Sequence, residues 1–111
     1  MQEVRFRVQG SAREPYEVHF INHGDGNLSA YCTCPAGQNG LYCKHRFRIL
    51  DGVTAGVVSE NPTDVALVVA WLPGSNIEAA LATLREAEAE AEAAKKRLSQ
   101  AKRAIARAMR D

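Results

Sequence analysis

The sequence predicts an α+β fold: a small antiparallel sheet and short helices, followed by one long C-terminal helix. Three observations predict it. Apolar and polar residues alternate through the first third of the chain, which is the period of half-buried strands. Three cysteines and a histidine crowd into residues 32–45. After Gly74 there is neither Gly nor Pro, and Ala, Glu, Lys and Arg dominate, which is the composition of a continuous helix.

The first strand alternates Val4, Phe6 and Val8 with Glu3, Arg5, Arg7 and Gln9. Gly10 to Pro15 interrupt it with turn residues. A second strand over Tyr16 to Asn22 places Tyr16, Val18 and Phe20 on one face. His23-Gly24-Asp25-Gly26-Asn27 then reads as a hairpin, because both glycines can take positive φ. A third strand, Leu28 to Cys34, places Leu28, Ala30, Cys32 and Cys34 on one face, so the sheet delivers two cysteines at its end. His19 alternates with Val18 and Phe20, so it faces solvent.

Residues 35–40 read as a loop. A helix is expected from about Lys44, with Phe47, Leu50 and Thr54 at helical spacing and Gly52 and Gly56 weakening its end. Asn61-Pro62-Thr63-Asp64 reads as a second helix start, with Asn61 as N-cap and Pro62 at the first helical position. Val65, Val68, Val69 and Leu72 form its apolar stripe, Trp71 anchors the core beside Leu72, and Pro73-Gly74 stops it. Ser75 and Glu78 make a capping box for the long helix over 75–111. The expected organisation is therefore a compact domain at 1–74 and a helix at 75–111.

The chain has 111 residues, enough for one small domain and an attached element. Its composition, 46% hydrophobic and 24% charged, is that of a globular protein. Fourteen basic residues against thirteen acidic ones give a net +1, so bulk charge predicts no partner. No apolar run approaches the ~20 residues of a membrane span. The start lacks the apolar stretch of a signal peptide. The expected location is intracellular (cytoplasm and nucleoid, or nucleus), not secreted. Aromatics are only 6%, a thin core, and small domains with thin cores use staples. An odd cysteine count argues against a disulfide framework.

The staple is a metal site. Its ligands are Cys32-x-Cys34, eight residues, then Cys43-x-His45. Strand residues at i and i+2 lie ~6.6 Å apart, but tetrahedral zinc wants sulfurs ~3.8 Å apart. The chain must therefore curl after Cys34, where Pro35 and Gly37 suit a bend. Helical residues at i and i+2 face nearly opposite ways, so Cys43 and His45 belong at a helix entrance. Gly40 lets the loop return to the metal. Three thiolates with one Zn²⁺ leave a formal −1, and Lys44, Arg46 and Arg48 supply compensating charge. Four protein ligands close the shell, which makes the zinc structural. The rival readings are three inert buried thiols beside a surface histidine, and an iron–sulfur cluster, which usually takes four thiolates.

The segment from about Tyr16 to Leu50, above all CTCPAGQNGLYCKHRFRIL, resembles a SWIM-type zinc finger. The order C-x-C then C-x-H, the preceding hairpin and the Cys-Lys-His triplet carry the likeness. The resemblance implies zinc ligation by Cys32, Cys34, Cys43 and His45. It also implies a DNA- or protein-interaction module, since the family occurs in chromatin remodellers, transposases, kinases and recombination-linked proteins. No helicase, kinase or transposase motif accompanies the finger here.

Function then rests on two kinds of surface. Arg5 and Arg7 share the wet face of the first strand, and Lys44, Arg46 and Arg48 flank the finger. Along the long helix, Lys96, Arg103, Arg107 and Arg110 form a basic stripe. Together these are the candidate nucleic-acid contacts. Residues 1–74 nevertheless hold six basic and seven acidic residues, so the domain itself is not basic. The second surface is a heptad seam. Ile77, Leu84, Ala91, Leu98 and Ile105 repeat every seven residues, Ala80, Ala87, Ala94, Ala101 and Ala108 follow three positions later, and Leu81 and Met109 flank it. Acids (Glu86, Glu88, Glu90, Glu92) lie in the first half and bases in the second. That order favours antiparallel pairing, in a homodimer or with another protein. No catalytic set is visible. The sequence thus predicts a non-enzymatic, zinc-stabilised binding module for nucleic acid, DNA first. The alternative is a protein-interaction adaptor working through residues 77–109. Neither a membrane nor a small-molecule substrate is expected.

Overall fold

The computed structural model describes residues 1–110. It has three strands, β1 (Gln2–Val8), β2 (Tyr16–Gly24) and β3 (Asn27–Cys32), and four helices, α1 (Pro35–Gln38), α2 (Lys44–Leu50), α3 (Asp64–Trp71) and α4 (Asn76–Arg110). The predicted last residue of the long helix, Asp111, lies outside the described residues. Among the described residues, no single helix is long and apolar enough to cross a membrane. The chain divides into two compact units, Met1–Glu78 and the remainder of α4 from Ala79, so the division falls inside the first turn of α4.

The sheet is antiparallel in the order β1-β2-β3. Its register sets Phe6 opposite Val18, Phe20 opposite Ala30, and Val18 opposite Cys32. One face is therefore continuous and apolar. Phe6, Val18 and Phe20 are fully buried there, with Phe6 and Phe20 edge to face at 6.1 Å. Ile49 and Leu50 of α2 and Val65 and Val68 of α3 complete the core. Trp71 and Leu72 pack against it half-buried, as the apolar stripe predicts. The hairpin glycines take φ of +97° and +76° at Gly24 and Gly26, and Asp25 follows them at +53°.

Both edges of the sheet are bonded. Beside β1, Val57 bridges Val8, Gln9 N–H donates to Gly56 O, and Val58 N–H donates to Arg7 O. Ser59 Oγ accepts from Arg7 N–H, and Asn61 Nδ2 donates to Arg5 O. This strand-like segment was not predicted. It also overturns the expected N-cap at Asn61. The Asn61 side chain is spent on Arg5 O, on Asp64 Oδ2 and on the Ser59 hydroxyl. The chain makes a turn first, with Asp64 N–H on Asn61 O, and α3 starts only at Asp64. Beside β3, Asn76 acts like a strand residue: its Oδ1 accepts from Leu28 N–H at 2.7 Å and its Nδ2 donates to Leu28 O at 3.1 Å.

The cap at the start of α4 forms nearly as predicted. Glu78 N–H donates to Ser75 Oγ, and the Glu78 carboxylate accepts from Gly74 N–H instead of from the cap residue itself. Ser75 N–H is already bonded to Leu72 O, which explains the shift by one residue.

Candidate metal centre

Strand pairing ends at Cys32, not at Cys34 as expected. Two residues later the chain turns into α1, where a loop was predicted. Cys34 is the N-cap of α1, and its Sγ accepts from Gly37 N–H at 3.3 Å. This one-turn helix is the curl that the cysteine spacing demands. Gly37 is required there for space: an added Cβ would lie 2.5 Å from Cys32 O and 2.9 Å from Cys32 Cβ. Gly40, at φ +70°, then returns the chain to the site. Cys43 is the N-cap of α2 and His45 lies in its first turn, the predicted helix entrance.

The four side chains converge. Their ligand atoms all lie within 4.8 Å of one another, and all four residues are buried. Cys34 Sγ to Cys43 Sγ is 3.4 Å, Cys43 Sγ to His45 Nδ1 is 3.6 Å, and Cys32 Sγ to His45 Nδ1 is 3.8 Å. Those are the edges of a small tetrahedron of the size that Zn–S bonds of ~2.3 Å and Zn–N bonds of ~2.1 Å produce. The thiols also receive backbone support, with Cys34 N–H on Cys32 Sγ at 3.5 Å. The donor set fits one zinc ion, held by Cys32, Cys34, Cys43 and His45, and four protein ligands fill a tetrahedral shell.

The imidazole enters through Nδ1. Its Nε2 is buried with no hydrogen-bond partner among the described residues. It faces Gly10, where an added Cβ would come within 2.8 Å, and the Tyr16 ring packs on the imidazole at 5.0 Å. Sequence spacing carries no signal for this wall, because Gly10 and Tyr16 lie far from the motif along the chain.

Electrostatics favour the metal-bound state. Burial pushes the Cys32 thiol up to about 12, assisted by the Cys34 and Cys43 thiols and opposed by the Cys34 N–H. Burial also raises the Cys43 thiol, but the Arg46 and His45 N–H groups and the other two thiols outweigh it and hold Cys43 below its ordinary value. Unpaired thiolates are costly here, so a cation supplies what the protein lacks. Burial, with the nearby charges of Lys44 and Arg48, lowers His45 below its ordinary 6.5. The unfolded imidazole therefore takes a proton in a range where the folded one refuses it, and stability falls as pH drops below about 6.5. Protons also compete with zinc for the ligands, in the same direction. Zinc release followed with an indicator dye is expected to begin as pH falls below neutral. Retention down to the carboxylate range would contradict ligation by His45.

The basic candidates separate into different settings. Arg46 is committed inside unit 1: its guanidinium donates to Ala30 O at 3.0 Å and to Leu41 O at 2.8 Å, which ties the finger loop to β3. Arg5 pairs with Glu17 at 2.7 Å on the exposed sheet face, and Arg7 is exposed beside it. His19 lies on that outer face, bonded to Glu3 at 3.1 Å and against Tyr31. Lys44 and Arg48 are exposed on α2. Between them stands Phe47, which does not enter the core as its spacing predicted. It stacks on Tyr42 at 4.3 Å and 15°. Ile49 takes the core place instead. Lys96, Arg103, Arg107 and Arg110 are all exposed on α4.

A tetrahedral Cys₃His cluster between a hairpin and the entrance of a helix defines a small zinc-binding module. Comparison with known families agrees: residues 6–49 match the family model of the SWIM zinc finger, and this part of the chain is a SWIM-type finger. No curated protein and no solved structure matches the chain.

Proposed function

We propose that the protein is a non-enzymatic, zinc-stabilised nucleic-acid-binding module. The observation that carries this reading is the exposed face of α2. Lys44, Phe47 and Arg48 stand at i, i+3 and i+4 and so share one helix face. Tyr42, 63% exposed, stacks on Phe47 beside them. Two cations around an aromatic pair, Tyr42 exposed and Phe47 half-buried beneath it, suit a phosphate backbone with a base stacked on the open Tyr42 ring. Zinc fixes the start of this helix through Cys43 and His45, so metal and surface are coupled. The basic stripe of α4 extends the reading, since residues 95–110 hold seven Lys and Arg and no acid.

Fluorescence anisotropy with labelled single- and double-stranded DNA and with RNA, at two salt concentrations and with or without a chelator, tests it. Binding is expected to weaken with salt and to vanish on chelation. The double reversal K44E/R48E is expected to weaken binding to all sequences and to lower the salt slope by about 2. No binding at low salt would overturn the reading. A second reading, a protein-interaction adaptor, draws on the exposure of Leu98 (56%), Ile105 (57%) and Met109 (79%) along α4.

A further inference from the structure

From Arg85 to Arg110, α4 has no buried residue. At ~1.5 Å per residue its 35 residues run to about 52 Å. Along α4 from Leu84, itself half-buried, one seam is built for a partner helix. Leu84, Ala91, Leu98 and Ile105 occupy one heptad column, and Ala87, Ala94, Ala101 and Ala108 the column three residues later. The flanking columns are charged: Glu88, Lys95 and Lys102 on one side, Glu90 and Arg97 on the other.

We propose that α4 pairs antiparallel with α4 of a second copy of this chain over residues 84–101. The register is the one that sets Glu88 against the partner's Lys95 and Glu90 against the partner's Arg97.

Charge selects both the occupant and the register. In an antiparallel pair, each residue of one seam column faces the other column of the partner, and like flanks meet. When Ala91 faces the partner's Ala94, Leu84 faces the partner's Ala101 and Leu98 faces the partner's Ala87. Every large side chain then meets a small one. The flanks fall into four opposite-charge contacts: Glu88 and Lys95 with their reversed counterparts, and Glu90 and Arg97 likewise. A slip of one heptad in one direction sets Lys95 against Lys95 and Arg97 against Arg97. A slip in the other direction sets Glu88 against Glu88 and Glu90 against Glu90. In-register parallel pairing brings Arg97 against the partner's Lys102. One arrangement alone among these is free of like-charge contacts, and it is self-complementary, which a second copy satisfies without any other partner. Alanine lets the backbones approach but buries little area, so charge contributes a large share of the association, and salt weakens it. The basic residues Lys96, Arg103 and Arg110 lie on the column opposite the seam and stay outside the pair.

Sedimentation of the zinc-loaded full chain at low salt is expected to show a monomer–dimer equilibrium without nucleic acid. E88K/E90K makes the flanks all basic, and K95E/R97E makes them acidic throughout residues 84–101, with Lys102 just beyond. Each is expected to raise the dimer dissociation constant on the order of 100-fold, since four exposed attractions become repulsions. Mixing the two variants is expected to restore dimers as heterodimers. A photo-crosslinking residue at Thr83 is expected to capture the partner's Ala104. Circular dichroism checks that each variant keeps its helix. A chain monomeric at every concentration would overturn the proposal. So would a dimer indifferent to both reversals, a mixture that stays monomeric, or capture of the partner's Glu88, which marks parallel pairing.

Discussion

Cys43→Ser is expected to cost the protein its zinc and, with it, the fold of residues 1–78. Cys43 is only 1% exposed and stands between two other ligands, 3.4 Å from Cys34 Sγ and 3.6 Å from His45 Nδ1. A serine oxygen is a poor replacement for a thiolate in a Cys₃His set, and its shorter bond cannot span the same gap. Structural zinc contributes ~10–16 kcal/mol at neutral pH in small finger peptides. A domain of this size is stable by only about 5–15 kcal/mol in total. Two buried thiols and a buried hydroxyl without a cation would remain in a core whose fully buried large side chains are few. Zinc content is expected to fall from one equivalent per chain to near zero. The cooperative melting transition of the sheet should disappear, while the helical signal of α4 persists because its length and composition support a helix alone. Chelation of the unsubstituted protein should give the same end state. A variant that keeps one equivalent of zinc and an unchanged melting temperature would refute the ligand assignment.

Gly37→Ala is expected to be the most damaging single-methyl change in the finger. The new Cβ would meet Cys32 O at 2.5 Å, Cys32 Cβ at 2.9 Å and Cys32 C at 3.1 Å. Two of these are backbone atoms of a metal ligand, so no side chain can swing aside. Gly37 is not among the glycines at positive φ, so conformational strain plays no part. The α1 turn must move away from β3, which pulls on the Cys34 Sγ that accepts from the Gly37 N–H. Overpacking of this kind costs about 3 kcal/mol, which corresponds to roughly a 100-fold weaker zinc site. Competition with a zinc indicator of known affinity measures this. Gly24→Ala is a useful contrast. It meets no atom within 4 Å but sits at φ +97°, so its cost should appear in stability alone, with zinc affinity unchanged. Equal affinities for the Gly37 variant and the parent would show that α1 is free to shift.

The parts legible in the sequence are those set by local periodicity or by a ligand's chemistry. Alternation at Val4, Phe6 and Val8 gave the correct buried face because one side of the sheet is apolar throughout. The cysteine spacing forced a curl after the strand and a helix entrance at Cys43, and both are present. The misreadings share a cause: a side chain's partner lies outside its own helix or turn, where periodicity carries no signal. Asn61 looks like a cap until Arg5 O claims its amide. Phe47 has core spacing, yet Tyr42 offers it a stacking partner outside the core. Arg46 reads as one more cation near a thiolate site, but Ala30 O and Leu41 O take its donors. The α1 turn is too short for any period to register, and its cap is a metal-ligand sulfur, which propensity rules do not anticipate.

A small sheet with open sides is a template on which any extended chain can add a strand. Here that route is closed from both directions by polar side chains. Ser59 and Asn61 answer the outward groups of Arg7 and Arg5, while Asn76 and Arg46 answer those of Leu28 and Ala30. Each blocking group comes from a segment that zinc or the core already holds in place. Recruitment of a peptide by strand addition is therefore disfavoured, and so is the edge-to-edge stacking that leads such sheets toward fibres. Asn76 joins this protection to the first turn of α4, so truncation ahead of that helix would reopen β3 at Leu28 and expose the finger to self-association.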